Sequence, residues 1–206
     1  ALADIGAGRF FTHGVEIEFA HQLARLVVAL AHRRAHADPV GLALAGGPLL
    51  DLGTYPLSLL SKLLGPARQL VGLKQDDPSG VHGQLSIIMA NAQGNQGTMS
   101  TTLYGLTPTN AAIVGTDATI RFGSEFNLPG PFTLISADGA ARLEYDEPVG
   151  RHFEGLYFEA AEVARCIAAG QAEAPPRPLQ ASLDMMTLID KVRGTLSLSW
   201  PVSLTN

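Results

Sequence analysis

Between residues 69 and 145 the chain is a succession of short β-like runs whose connections are too short to hold a helix. The runs are Gln69–Lys74, Gly83–Ala90, Gln96–Tyr104, Asn110–Gly115, Thr119–Phe122, Phe132–Ser136 and Ala141–Tyr145. Between them stand Asp76-Asp77-Pro78-Ser79-Gly80, Asn91–Gly94, Thr107-Pro108, Asp117, Asn127–Gly130 and Asp138-Gly139. These are residue types that supply turn dihedrals or preset them. A parallel pair needs a crossover of about a dozen residues or more, and these gaps leave no room for one. The stretch is therefore predicted to pair antiparallel.

Helical signals bracket it. Gly46-Gly47 breaks the chain and Pro48 suits a first helical position, so a helix is predicted to run on to Leu64 and stop at Gly65-Pro66. Pro56 falls inside that run and is expected to kink it. Past the strands, residues 155–169 carry apolar positions at 156, 160, 163 and 167, with Gly170 behind them. A connector, Ala174-Pro175-Pro176-Arg177-Pro178, precedes a helix over Ser182–Val192 and a short strand over Thr195–Trp200. At the other end, residues 1–8 read as the end of a helix, Arg9–Phe19 as a strand, and residues 20–38 as a helix ended by Pro39. The expectation is one α+β domain over 1–206: a large, mainly antiparallel open sheet with helices packed on one face. With 46% apolar residues and a mean hydropathy of +0.16, the other face is expected to be covered by a second copy.

Composition narrows the function. The net charge is −5 with only 14 Lys plus Arg and no basic stripe, which argues against nucleic-acid binding. The longest apolar run, around Leu23–Leu30, contains Arg25 and is too short for a membrane span. The first residues lack the charged start of a secretory signal. The single cysteine, Cys166, permits no intrachain disulfide and no thiolate metal site, and fits a reducing cytoplasm. It sits between Val163 and Ile167 and reads as core. His32 and His36 are four apart, but Arg33-Arg34 beside them repel a cation, so no metal is expected. His82 and His152 are expected in exposed loops, and Glu144, Asp146 and Glu147 at a solvated strand end. There is no Gly-x-Gly-x-x-Gly between a strand and a helix, no phosphate loop, no Gly-x-Ser-x-Gly elbow and no His-Glu-x-x-His. No dinucleotide site of the usual kind is expected within this sequence, hence no cofactor.

One stretch stands out chemically: Gly46-Gly47-Pro48-Leu49-Leu50-Asp51-Leu52-Gly53-Thr54-Tyr55-Pro56. Asp51 and Tyr55 are four apart and share a face if the segment is helical. Their neighbours are apolar or small, so a carboxylate and a phenol are set alone on one surface beside the Gly46-Gly47 turn. Gly53 is expected to let a ligand approach the backbone. The predicted site is Tyr55 and Asp51 as catalytic groups, with Gly46 and Gly47 completing the substrate contact.

This motif resembles the substrate face of the Gfo/Idh/MocA oxidoreductases, in the trans-dihydrodiol and sugar dehydrogenase branch. Three further pieces follow in the family's order. They are the strand-turn-strand region Gln84–Thr107, the turn within Ile113-Val114-Gly115-Thr116-Asp117-Ala118-Thr119-Ile120, and the closing helices Phe158–Ala169 and Ser182–Gly194 around Pro175–Leu179. The resemblance covers roughly residues 45–200. Residues 13–45 depart from it, reading HRRAHADPVGLALAGG where the family has a His-Arg-Leu loop.

The resemblance implies the C-terminal, substrate and oligomerisation domain of a two-domain enzyme whose Rossmann domain binds NAD or NADP. It implies that Asp51 orients substrate hydroxyls and that Tyr55 is the proton donor and acceptor. A free tyrosine titrates near ~10 and needs a cation to act at neutral pH. The family's lysine for that purpose, in a Glu-Lys-Pro motif, has no counterpart here. The expected ligand is a small sugar- or lactone-like molecule, and the alternative function is a cofactor-independent hydrolase or binding protein for such a ligand.

Overall fold

The computed structural model describes residues 9–12 and 15–18 as backbone, and 47–78, 80–123, 125–146 and 155–198 in full. The strands are β1 (Arg9–Thr12), β2 (Val15–Glu18), β3 (Gln69–Asp76), β4 (His82–Ala90), β5 (Gln96–Thr102), β6 (Ala111–Val114), β7 (Ala118–Phe122), β8 (Phe132–Ser136) and β9 (Arg142–Tyr145). The helices are α1 (Thr54–Leu64), α2 (Leu156–Ala168) and α3 (Leu179–Leu196). Every described strand pair is antiparallel, and the class is α+β, as the turn spacing predicts.

The strands divide into three hydrogen-bonded sheets, β1-β2, β3-β4-β5 and β6-β7-β8-β9. Among the described residues no ladder joins β5 to β6. Leu103 N–H donates to the Gly83 carbonyl, the Thr109 carbonyl accepts from Phe126 N–H, and Pro108 has no N–H to give. The single strand expected over residues 9–19 is instead the paired β1 and β2.

In the middle sheet the alternation of side chains sets the core. Leu70, Met89 and Gly97 lie opposite one another, as do Gly72, Ile87 and Met99, and these two rows face the helices. From α1 come Leu57, Leu60 and Leu64, and from α3 come Met185, Leu188, Ile189, Val192 and Leu196, all in one cluster with the strand residues. The spacing of three and four along each helix is what lets one stripe face the sheet. Each such side chain contributes about 1.5–3 kcal/mol when fully buried. Gly97 sits where α1 crosses β5: a Cβ there would overlap Leu60 and stand 2.9 Å from Leu64 Cδ1. The C-terminus of α1 is tied to the β4–β5 turn by Asn91, whose Nδ2 donates to the Leu64 carbonyl at 3.1 Å while its Oδ1 accepts from Gln93 N–H and Asn95 N–H.

Three helical expectations change. First, α1 begins at Thr54 rather than at Pro48, so Pro56 lies in its first turn. There an N–H would have no partner within the helix anyway, so the proline neither kinks nor breaks it. Second, α3 runs through Thr195 and Leu196, which were predicted as strand, and ends on Ser197 in a left-handed conformation (φ 49°, ψ 48°). Leucine is a good helix former and Leu196 is buried in the core, so the helix continues through it. Third, the predicted apolar stripe of α2 faces outward, with Leu156, Val163 and Ile167 exposed, and Cys166 is the buried residue of that helix. No helix among the described residues is long and apolar enough to cross a membrane. The expected helix over residues 20–38, His21, His32, His36, His152, Glu147 and Trp200 lie outside the described residues.

Candidate functional site

The Gly-Pro motif folds as a wide turn feeding α1. Gly53 N–H donates to the Pro48 carbonyl at 2.6 Å, five residues back, and Leu57 N–H donates to the Gly53 carbonyl at 3.1 Å. The room at Gly53 is taken by the chain itself: a Cβ there would stand 2.7 Å from the Leu49 carbonyl oxygen. Gly53 is therefore required for closing the turn, not for admitting a ligand. Asp51 is exposed on this turn, and its backbone carbonyl accepts from Thr54 Oγ1 at 3.0 Å. Tyr55 is the second residue of α1 and 46% exposed, so its phenol is reachable from solvent. Gly47 adopts φ +109°, and Gly46 lies outside the described residues.

Beneath the turn lies a residue that sequence reasoning missed. His82, the first residue of β4, accepts the Leu49 N–H on Nε2 at 3.2 Å. Its ring fills the space a side chain at position 47 would need, with Cε1 2.9 Å from a Cβ built on Gly47. An imidazole that accepts on Nε2 is neutral and carries its proton on Nδ1. Burial first, and then the charge of Lys74, hold His82 below its ordinary value of 6.5, while Asp76 opposes them. Lys74 and Asp76 are themselves paired at 2.9 Å. The expectation of an exposed loop histidine is thus replaced by a partly buried strand residue that props the turn. The signal in sequence was faint: a histidine at a strand start, 33 residues from its partner.

Tyr55 lines a cleft of about 560 Å3 between α1, the start of α3 and the end of β7. Its apolar wall includes Leu59, Phe122, Phe126 and Met185. Phe122 is backed by Phe132, with ring centroids 6.1 Å apart, and Phe132 stacks on Tyr145 at 5.0 Å. Among the described residues Asp51 is not part of this lining, because it precedes the helix instead of lying one turn below Tyr55 on it.

The described residues do not fit a dinucleotide. They contain no parallel crossover unit, so they build no strand–loop–helix cradle for a pyrophosphate. No group of three or more His, Cys, Asp or Glu with metal-binding geometry occurs among them either.

The chain is 28% identical over 166 residues to a trans-1,2-dihydrobenzene-1,2-diol dehydrogenase of Xenopus tropicalis, covering 77% of this chain and 49% of that protein. The corresponding mouse protein is 25% identical over 165 residues, covering 76% and 48%. The chain thus spans about half the length of the curated relatives it matches. Among solved structures, aldose-aldose oxidoreductase from Caulobacter crescentus, complexed with glycerol, superposes with a TM-score of 0.68 at 16% identity, over 85% of this chain and 54% of that one. Levoglucosan dehydrogenase with NADH and levoglucosan gives 0.65 at 14% identity, over 85% and 58%. No protein-family model matches the chain. The resemblance to half of a Gfo/Idh/MocA oxidoreductase is upheld by these relatives and by the shared fold.

Proposed function

We propose that this relative of the dihydrodiol dehydrogenases is the substrate-binding half of an NAD(P)-dependent oxidoreductase acting on a ring hydroxyl of a small sugar- or diol-like molecule. The observation that carries the reading is Tyr55. It falls in the motif that resembles the family's substrate face, and it stands solvent-reachable on the wall of a cleft with two aromatic rings. Exchanging a hydroxyl proton needs a group within hydrogen-bond reach of that oxygen, and Tyr55 is placed to supply it. Asp51 stands on the turn that leads into α1, outside the lining of the cleft. His82 holds that turn from below. NAD or NADP is bound by a Rossmann domain that the described residues do not supply.

The same reading assigns a second copy to the outward face of the β3–β5 sheet and a cytoplasmic setting, the latter supported by the unpaired, buried Cys166. A lactone is the product that oxidation of a cyclic sugar hemiacetal would leave, and belongs to the same ligand class.

The test is binding of a neutral ring diol, trans-cyclohexane-1,2-diol, followed by NMR on the chain. Tyr55→Phe is expected to weaken binding about tenfold, as loss of one polar contact does, and Asp51→Asn, at a residue outside the cleft lining, to leave it as it was, with the thermal midpoint unchanged in both. Unaltered affinity in Tyr55→Phe overturns the site.

A further inference from the structure

We propose that the cleft beside Tyr55 takes a ring that carries an oxyanion, a phosphate or a carboxylate, held by Lys62 and Arg177. The inference rests on the reading of Tyr55 as substrate-facing and names the substrate class more closely.

The helix supplies the first part of the geometry. Tyr55, Ser58 and Lys62 follow one another at spacings of three and four on α1, and all three line the cleft. Arg177, in the connector before α3, lines it from across. Its Nη1 donates to Ser58 Oγ at 2.6 Å, a bond between residues 119 apart in sequence. That bond pins the guanidinium over the face of α1. Ser58 and Lys62, four apart, bring their Cβ atoms within about 5–6 Å. Two cations therefore line the cleft within about one helical turn of Ser58. Of the guanidinium's five N–H donors, one is engaged by Ser58, and the remaining fork matches a pair of oxygens of a carboxylate or a phosphate.

Charge supplies the second part. Lys74, Arg142, Arg165 and Arg193 each sit in an ion pair with a neighbouring carboxylate. Lys62 and Arg177 have no such pair among the described residues. Among the described residues the one carboxylate on the cleft, Asp184, accepts from Gln180 Nε2 at 2.8 Å. The cleft is thus locally positive in a chain whose net charge is −5. On the opposite wall, Phe122 and Phe126 offer a flat apolar surface for a ring, and Asn127 beside them has a buried side-chain oxygen with no donor among the described residues. A volume of about 560 Å3 lies within the range of small-molecule sites and accommodates one substituted ring.

The experiment titrates the full chain with phenyl phosphate, benzoate, inorganic phosphate and trans-cyclohexane-1,2-diol, read by NMR. Phenyl phosphate or benzoate is expected to bind about tenfold more tightly than the diol, and the one that does identifies the oxyanion. Lys62→Gln with Arg177→Gln should abolish that advantage, so that the anionic rings bind the variant no more tightly than the diol binds it; both side chains are exposed, so the fold is expected to survive. Equal affinity for anionic and neutral rings, or an advantage that persists in the double variant, overturns the proposal. Inorganic phosphate binding as tightly as phenyl phosphate overturns the ring-binding half. If the diol binds and neither anionic ring does, the oxyanion site falls and the Tyr55 reading stands. If an anionic ring binds and the diol does not, the Tyr55 reading falls, and with it the assignment of the anion to a hydroxyl substrate.

Discussion

At the scale of single residues, the turn that carries Asp51 depends on a hydrogen bond made by a titratable ring. His82 accepts the Leu49 N–H only while it is neutral, and its folded pKa lies below the ordinary 6.5 because burial and Lys74 disfavour the charged form. The unfolded chain therefore takes up the proton first as pH falls. The contribution of His82 to stability is complete above about pH 6.5 and is lost as pH drops through the lower folded value. We expect stability to decline below that point by about 1 kcal/mol from this bond. His82→Gln retains an acceptor without titrating, so its denaturation profile should lack that step; an identical step in both proteins would remove His82 as its source. Tyr55 was legible as a surface group from the motif. His82 was not, because its role exists only once residues 47–49 close over the start of β4. Gly53 was misread for a related reason: a glycine beside polar groups suggests ligand access, whereas here the space is filled by the carbonyl of Leu49.

At the scale of elements, turn chemistry was the readable part and helix limits were the unreadable part. The seven strand-like runs from 69 to 145 correspond to β3 through β9, because Gly, Asn, Asp and Pro mark the places where the chain must reverse. The start of α1 was not legible, since Pro48 suits the first position of a helix and of a turn equally well. The end of α3 was hidden too: Thr195 and Leu196 look like strand residues until Leu196 is seen against Gly72, whose added Cβ would stand 3.3 Å from Leu196 Cδ2. Gly72 and Gly97 mark where helices cross the sheet, and that is testable. Gly97→Ala places a methyl against Leu60 and Leu64, and overpacking of this kind costs about 1–3 kcal/mol. Shortening Leu60 to Ala in the same chain makes room, so the double variant should lose less stability than the sum of the two single variants. Chemical denaturation of the four proteins measures this coupling. Strict additivity would mean that α1 does not press on β5 at this point.

At the scale of the whole molecule, the outward face of the middle sheet is the feature that a single chain leaves unexplained. Val71 lies opposite Ile88, and Leu73 lies two residues further along β3 on the same face. These three side chains are 60%, 47% and 79% exposed in that order, on strands whose other face is in the core. A solvated antiparallel face normally carries polar residues at such positions. Among the described residues α1 and α3 offer no cover, because both pack on the opposite side. A second copy related by a two-fold axis would place Val71, Leu73 and Ile88 against their own equivalents, and a stable contact of that kind buries about 1,200–2,000 Å2 in total. We therefore expect light scattering at micromolar concentration to report at least twice the 21.7 kDa chain mass. Introducing a charge at the centre of the patch should undo the association without unfolding the chain, since the side chains replaced contribute nothing to the core. Val71→Lys with Leu73→Lys should give a monomer of unchanged circular dichroism, because like charges buried against their own equivalents on a two-fold cost several kcal/mol in the assembly and little in the isolated subunit. A wild-type chain that remains a monodisperse monomer shows that the face is not an interface between copies. A variant that still associates places the contact elsewhere, with the exposed stripe Leu156, Val163 and Ile167 of α2 as the next surface to charge.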